Sequence, residues 1–241
     1  MKDIIEFIKT QVKQSGTKGV VLGLSGGIDS AVVAVLAQKA LGKNKVHCFY
    51  LSYVQDDNDV DHIKKLCNKF KLKYNKVTIK QIVDLFYHYP KNELIKGNIK
   101  SRVRMTYLYT FANSKNCLVI GTTNKSELLT GYFTKYGDGG VDFEPIAHLY
   151  KTEVIKLAKK LGIPDEIINK PPTAGLWNGQ TDEHELGMTY KELDEYLMLI
   201  EFDSIVPRAI HEEMPKMSDK YYKVKEMVEK SKHKRNPPEM K

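Results

Sequence analysis

Short apolar runs alternate with amphipathic stretches along this chain. MKDIIEFIKTQVKQSG at the N-terminus places Ile4, Ile5, Ile8 and Val12 at helical spacing and predicts an amphipathic helix. GVVLGL (19–24) is short, apolar and β-branched, the pattern of a buried strand. SAVVAVLAQKALG (30–42) is alanine-rich and closes on Gly42, which suits a helix C-terminus. KVHCFYLS (45–52) reads as the next strand, and DNDVDHIKKLCNKF (57–70) puts Ile63, Leu66, Cys67 and Phe70 on one helical face behind an acidic start. KYNKVTI (73–79) is strand-like, a long helical stretch covers about 91–115, and CLVIGT (117–122) is another buried strand. KTEVIKLAKKLG (151–162) predicts a helix ending at Gly162, and residues 190–232 read as helices before a basic, proline-containing tail at 231–241.

Strands that are apolar throughout, alternating with helices, belong to a parallel sheet covered on both faces. The expected fold class is therefore α/β: a doubly wound parallel sheet in one domain, 1–241, with a helical C-terminal part from about residue 190. The polar stretches 122–145 and 171–190 carry few secondary-structure signals, and loops of that length in a compact domain are usually functional or disordered.

Composition narrows the class. Hydrophobic residues at 41% and charged residues at 28% are ordinary for a globular chain. No run of about eighteen apolar residues offers a membrane span. The N-terminal MKDIIEFIKTQVKQSG carries charges throughout and lacks a signal-peptide block, so a cytoplasmic location is expected. Cys48, Cys67 and Cys117 cannot all pair and fit no metal spacing, which leaves reduced core thiols. A net charge of +8 suits nucleic acid or a small polyanion such as a nucleotide. The basic residues are spread out, however, and concentrate only in KSKHKR (230–235).

The chemistry begins at LGLSGGIDSA (22–31), where two glycines separate a strand from a helix. Ligands of open parallel sheets bind beyond the C-terminal ends of the strands, where a helix N-terminus presents unpaired N–H groups to phosphate. No lysine follows the glycines, so this is not the common GxxxxGK[ST] loop. Asp29 is expected in the loop instead, and a carboxylate beside phosphates calls for a bridging cation, for which Mg²⁺ is the natural choice. Read alone, the same Asp could simply cap a helix.

The string Ser-Gly-Gly-x-Asp-Ser after a strand resembles the pyrophosphate loop of the N-type ATP pyrophosphatases. The later segments are similar to the successive motifs of the ammonia-dependent NAD synthetase family: KGNIKSRVRM (96–105), GTTNKSE (121–127), GYFTKYGDGGVDFEPI (131–146), LYKTEV (149–154), KPPTAGLWNGQTDEHELG (170–187) and HKRNPP (233–238). The resemblance implies an adenine nucleotide alpha-hydrolase-like fold and a homodimer with nucleotide sites at its interface. It implies a ligase that joins deamido-NAD, ATP and ammonia through an acyl-adenylate, giving NAD, AMP and pyrophosphate.

Residue by residue, the resemblance gives ATP contacts to Gly23, Leu24, Ser25, Gly26, Gly27, Ile28, Asp29 and Ser30, and to Thr122, Lys151 and Thr173. It gives Mg²⁺ to Asp29 and Glu127, and deamido-NAD to Arg102, Lys135, Asp142, His233 and Lys234. Two residues receive catalytic expectations. Lys151 would stabilise charge on the α-phosphoryl group; at a helix start its charge opposes the dipole, which points to an anion nearby. Asp142 would bind ammonium near the acyl-adenylate and accept its proton. Without the resemblance, Glu127 would be a first-turn helix acid, Arg102 a solvated helix residue, 135–142 a mobile surface loop, and the tail a solvated basic segment.

Two departures from the family pattern stand out. YLSYVQDD (50–57) replaces the usual Leu-Pro after the second strand, which affects adenine-side contacts. The chain also starts close to its first strand, so dimer contacts made by longer N-termini must differ here. No segment remains for a glutamine-hydrolysing domain, so free ammonia is the expected nitrogen source. Two rivals remain: a tRNA-modifying enzyme similar to lysidine synthetase, and a non-catalytic module that only senses ATP. The former would carry an added nucleic-acid domain, for which there is no room, so neither nucleic acid nor membrane is expected as a partner.

Overall fold

A computed structural model describes residues 1–86, 92–173, 175, 179–203, 217–238 and 240. Its centre is four strands: β1 (Val20–Gly23), β2 (Val46–Ser52), β3 (Tyr74–Thr78) and β4 (Leu118–Val119). Their order is β3-β2-β1-β4 and every pairing is parallel, with Val20 opposite both Val46 and Leu118. The chain steps outward from β1 to β3, then returns to lay β4 on the other side of β1. That reversal leaves a crevice between the C-terminal ends of β1 and β4, where a doubly wound sheet receives its ligand.

The central strands β1 and β2 bury both faces, which is why they lack alternation, whereas the edge strand β3 is largely exposed or half-buried. Val20, Leu22, Cys48 and Tyr50 face one core; Val21, Phe49 and Leu51 face the other. The first core is closed by α1 (Lys2–Gln14), α2 (Ile28–Leu41), α3 (Asp57–Phe70), α7 (Lys151–Leu161) and α8 (Asp165–Ile168). The second is closed by α4 (Lys80–Asp84) and α5 (Glu93–Lys115). Helix α1 turns Ile4, Ile8 and Val12 inward, as its spacing predicts. Helix α2 is buried without a break from Ser30 to Ala37, so its alanines allow close approach on every side.

A third cluster joins Tyr150, Leu186, Met188, Tyr190, Leu193, Leu197 and Val224. It packs α9 (Asp182–Leu186), α10 (Tyr190–Asp203) and α11 (Asp219–Lys230) beside α6 (Lys125–Thr130) and α7. This is the helical C-terminal part, and α10 and α11 use it to reach the crevice side of the sheet.

Several boundaries differ from the sequence pattern. Helix α2 starts at Ile28, so Asp29 and Ser30 lie in its first turn and not in the loop. The expected strand 117–122 shrinks to Leu118–Val119 plus a bridge from Ile120 to Phe143, because the segment at 142–143 lies along that edge. The polar stretches contain α6 and α9, and α6 is announced by the Asn124/Glu127 capping box. Within the basic tail, Lys232–Arg235 forms the short helix α12.

Cys48, Cys67 and Cys117 are buried and free, and burial raises each thiol's pKa, that of Cys67 to about 11. No helix among the described residues is long and apolar enough to cross a membrane.

Candidate active site

The turn from β1 to α2 is built by its own serines. Ser30 Oγ donates to the Gly27 carbonyl at 3.1 Å and accepts from the Ser25 amide at 3.2 Å; Ser25 Oγ accepts from the Gly27 amide at 3.2 Å. Gly26 is required twice over. Its φ of +75° is left-handed, and an added Cβ would stand 2.7–3.0 Å from Asp59 on α3. The crowding atom at Gly26 thus belongs to the chain itself. Gly27 is the N-cap of α2 and supplies no capping side chain, which leaves the helix N-terminus available to an anion.

Across the crevice, β4 leads into the turn that carries Thr122 and then into α6. Asn124, fully buried, accepts from the Glu127 amide at 3.0 Å, while Glu127 Oε2 accepts from the Asn124 amide at 3.2 Å. The Asn124 side chain also donates to Asp29 Oδ1 at 3.0 Å. One amide side chain therefore sets the orientation of both predicted metal ligands.

Lys151 completes the group. Its ammonium lies 2.5 Å from Asp29 Oδ2 and 3.7 Å from Glu127 Oε1, with side-chain exposures of 3% for the lysine and 16% for each acid. The anions that offset a cation at the start of α7 are thus two carboxylates of the chain. Burial opposes the Lys151 charge, but Asp29 and Glu127 outweigh it and hold the ammonium above its ordinary pKa. Burial pushes Glu127 well above the ordinary carboxylate range; Asp29 adds to that shift and Lys151 opposes it. The Tyr190 ring centroid lies 5.0 Å from the ammonium.

Asp29 and Glu127 are hard oxygen donors beside a phosphate-shaped turn, and they suit Mg²⁺. Among the described residues no group of three or more His, Cys, Asp or Glu could hold a metal, so a cation held here would need oxygens of substrate or water besides the two carboxylates. Thr173 lies on the segment that follows α8 (Asp165–Ile168). That segment is fastened by Lys170, which forms an ion pair with Asp59 behind Gly26. Thr173 Oγ1 accepts from the Gly175 amide at 3.0 Å.

The residues expected at deamido-NAD divide into two places. Arg102 donates to the Lys135 carbonyl at 3.3 Å, and Lys135 donates to the His233 carbonyl at 2.5 Å. Lys234 donates to the carbonyls of Gly131 and Phe133 at 2.7 and 2.8 Å, and Arg235 to that of Leu129 at 2.6 Å. The tail is thus bonded into the 131–140 loop and is no solvated arm. The loop itself is folded onto α5: Asp138 accepts from Ser101 Oγ at 2.5 Å and from the Thr134 amide at 3.0 Å.

Asp142 stands elsewhere, at the sheet edge. Its Oδ2 accepts from the Val119 amide at 2.6 Å and its Oδ1 from Tyr109 at 3.2 Å, so it finishes the ladder of β4.

Sequence reasoning passed over several groups. Asn124 had a signal in its Asn-x-x-Glu capping box. Glu144 had none: half-buried, it accepts from the Thr123 amide at 3.0 Å, and burial pushes its pKa up to about 8. Ser126, Asp194 and Tyr190, which surround Lys151, were equally silent.

Comparison with known proteins follows the same lines. A family model described as NAD synthase matches residues 1–238. An NH(3)-dependent NAD(+) synthetase of Thermococcus sibiricus is 47% identical over 238 residues, covering 98% of this chain and 93% of that protein. Among solved structures, NMN synthetase from Francisella tularensis has a TM-score of 0.85 at 34% identity, covering 100% of this chain and 96% of its own. NH3-dependent NAD synthetase from Campylobacter jejuni, in complex with the nitrate ion, has a TM-score of 0.82 at 34% identity, with coverages of 99% and 96%.

Proposed function

The chain belongs to the NAD synthase family, and from that premise we propose that it is an ammonia-dependent NAD synthetase. The observation that carries this reading is the match along nearly the whole of both chains to an NH(3)-dependent NAD(+) synthetase at 47% identity. That match also sets aside the tRNA-modifying alternative.

In the proposed reaction the nicotinate carboxylate of deamido-NAD attacks the α-phosphorus of ATP. The α–β phosphoanhydride bond breaks and pyrophosphate leaves. Ammonia then attacks the acyl carbon of the adenylate, the bond to AMP breaks, and the nitrogen loses a proton.

The serine–glycine turn and the N-terminus of α2 receive the β- and γ-phosphates. Asp29 and Glu127 would hold Mg²⁺, which supplies charge neutralisation for the triphosphate. Lys151, held between them, is placed to stabilise charge on the α-phosphoryl group. Thr122 and Thr173 would contact ATP. Arg102, Lys135, His233 and Lys234 line the side of the dinucleotide. Asp142, whose two oxygens also accept from the Val119 amide and the Tyr109 hydroxyl at the sheet edge, is the residue proposed to hold ammonium by charge and accept its proton.

A homodimer is supported by exposed apolar side chains around the α4–α5 connection: Ile82 at 49%, Leu85 at 78%, Phe86 at 44%, Leu94 at 56% and Ile95 at 37%. Exposed apolar residues in such number are candidates for an interaction surface. The three buried thiols suit the reducing cytoplasm.

The purified protein should convert ATP, deamido-NAD and ammonium chloride into NAD with one pyrophosphate per NAD, and make almost none from glutamine. Equal rates with both nitrogen sources, free of contaminating ammonia, would overturn the reading. Nicotinate mononucleotide in the same assay, expected to give a lower kcat/KM, separates a mononucleotide substrate from the dinucleotide.

A further inference from the structure

Lys151 occupies the first position of α7, and the hydroxyl of its N-cap residue Tyr150 does not cap the helix. Glu153 reaches back to the Tyr150 amide at 2.9 Å, but Tyr150 sends its hydroxyl away to Glu201 at 2.6 Å. Two groups from other helices serve the exposed amides instead. Ser126 Oγ on α6 accepts from the Lys151 N–H at 2.9 Å, and Asp194 Oδ2 on α10 accepts from the Thr152 N–H at 2.9 Å. The Ser126 hydroxyl in turn donates to Asp194 Oδ1. Ser126 is fully buried and Asp194 is 1% exposed, and both carboxylate oxygens accept hydrogen bonds.

One turn earlier on α10 stands Tyr190, whose ring faces the Lys151 ammonium and whose hydroxyl is fastened to Asp182 Oδ2 at 3.0 Å. Helix α10 therefore touches the Lys151 ammonium through Tyr190 and the next amide of the same turn, that of Thr152, through Asp194, while Ser126 links Asp194 to the Lys151 N–H. A buried carboxylate is costly unless it is fully hydrogen-bonded, and an apolar residue would fill the space without that cost. What the carboxylate adds is direction: it fixes where α7 begins relative to α6.

We infer that Asp194, acting with Ser126, is a positioning residue for Lys151. It sets the first turn of α7 so that the lysine stem delivers its ammonium between Asp29 and Glu127. A displacement on the order of 1 Å at that turn would carry through the side chain to the reacting phosphoryl group. The inference rests on the synthetase reading of Lys151.

The test uses the full chain with Asp194→Asn, Ser126→Ala and both together, each checked for a native circular dichroism spectrum at the assay temperature. Each single variant should lower kcat for pyrophosphate release from ATP and deamido-NAD at least tenfold, with both KM values within twofold of wild type. The double variant should be no slower than the slower single, because the two residues act through one hydrogen-bonded chain. A folded Asp194→Asn protein with kcat within twofold of wild type would overturn the inference, as would raised KM with unchanged kcat, or additive losses. If Asp194→Asn does not fold, Ser126→Ala decides by the same kcat and KM criteria. Wild-type protein is assayed alongside: failure to make NAD from ammonia rejects the synthetase reading, whereas an active wild type with equally active variants rejects only the positioning role.

Discussion

The Lys151 ammonium lies 2.5 Å from the Asp29 carboxylate, joining the first turns of two helices whose residues are 122 positions apart. This contact spans the crevice between β1 and β4 and brings the β1–α2 turn, the α6 acid and α7 into one electrostatic unit.

Removing the cation from that unit should be costly. Lys151→Met leaves two partly buried acids facing each other, a loss of about 3–5 kcal/mol. For a domain of this size that corresponds to a fall in Tm of about 10 °C. Glu127 already stands above the ordinary carboxylate range, so its charge is lost as pH falls and the difference from wild type should shrink. Thermal melts at pH 5 and pH 8 measure this; an equal deficit at both would refute the coupling.

Asp29→Ala should destabilise as well as inactivate. In a solvent-facing loop its loss would leave stability unchanged, but Asp29 lies in a helical turn and holds both Lys151 and Asn124. The expected loss is about 2 kcal/mol by urea titration, together with abolished adenylate formation at saturating Mg²⁺. Wild-type stability would show that the pair contributes nothing.

Glu144 should impose a pH dependence on folding. Its carboxyl moves from the ordinary 4.5 to about 8 in the fold, so the native state holds the proton more tightly. Its contribution is full below about pH 4.5 and is lost as pH rises through about 8, by an amount on the order of 2 kcal/mol or more. Glu144→Gln removes this slope. Stability curves of the two proteins that run parallel from pH 5 to 8.5 would contradict the burial argument.

Lys234→Met should loosen the 131–140 loop, because the ammonium bonds two carbonyls of that loop. KM for deamido-NAD is expected to rise at least fivefold, while KM for ATP stays constant. Steady-state kinetics with each substrate varied in turn separates the two; a rise in the ATP value alone would place the tail on the other substrate.

Leu85→Glu tests the dimer. Leu85 is 78% exposed, so a charge there should leave the monomer fold intact and disrupt only an interface. Light scattering should report a dimeric wild type and a monomeric variant. A monomeric, active wild type would end the proposal.

Much of this architecture is written locally. The period of Ile4, Ile8 and Val12, the apolar runs of β1 and β2, and the Ser-Gly-Gly-x-Asp-Ser string each depend on near neighbours in the chain. Element order, parallel sheet and the strand–glycine turn–helix junction could therefore be derived from the sequence alone. Local signals were weaker where structure is short: β4 pairs over two residues and α6 spans six, too few for a period to register.

Tertiary packing alone decided the partners. No spacing rule links Lys151 to Asp29, Asn124 to both acids, or Asp194 to the start of α7, because those contacts arise from how α2, α6, α7 and α10 pack. The same holds for charge. Composition assigned the tail to solvent, yet Lys234 and Arg235 bond carbonyls at the end of α6 and in the loop beyond it. Glu144 read as an ordinary acid until packing withdrew its water. Periodicity records how a residue relates to its neighbours in the chain, whereas ion pairs, buried carboxyls and shifted pKa values depend on which distant elements are brought within a few ångströms.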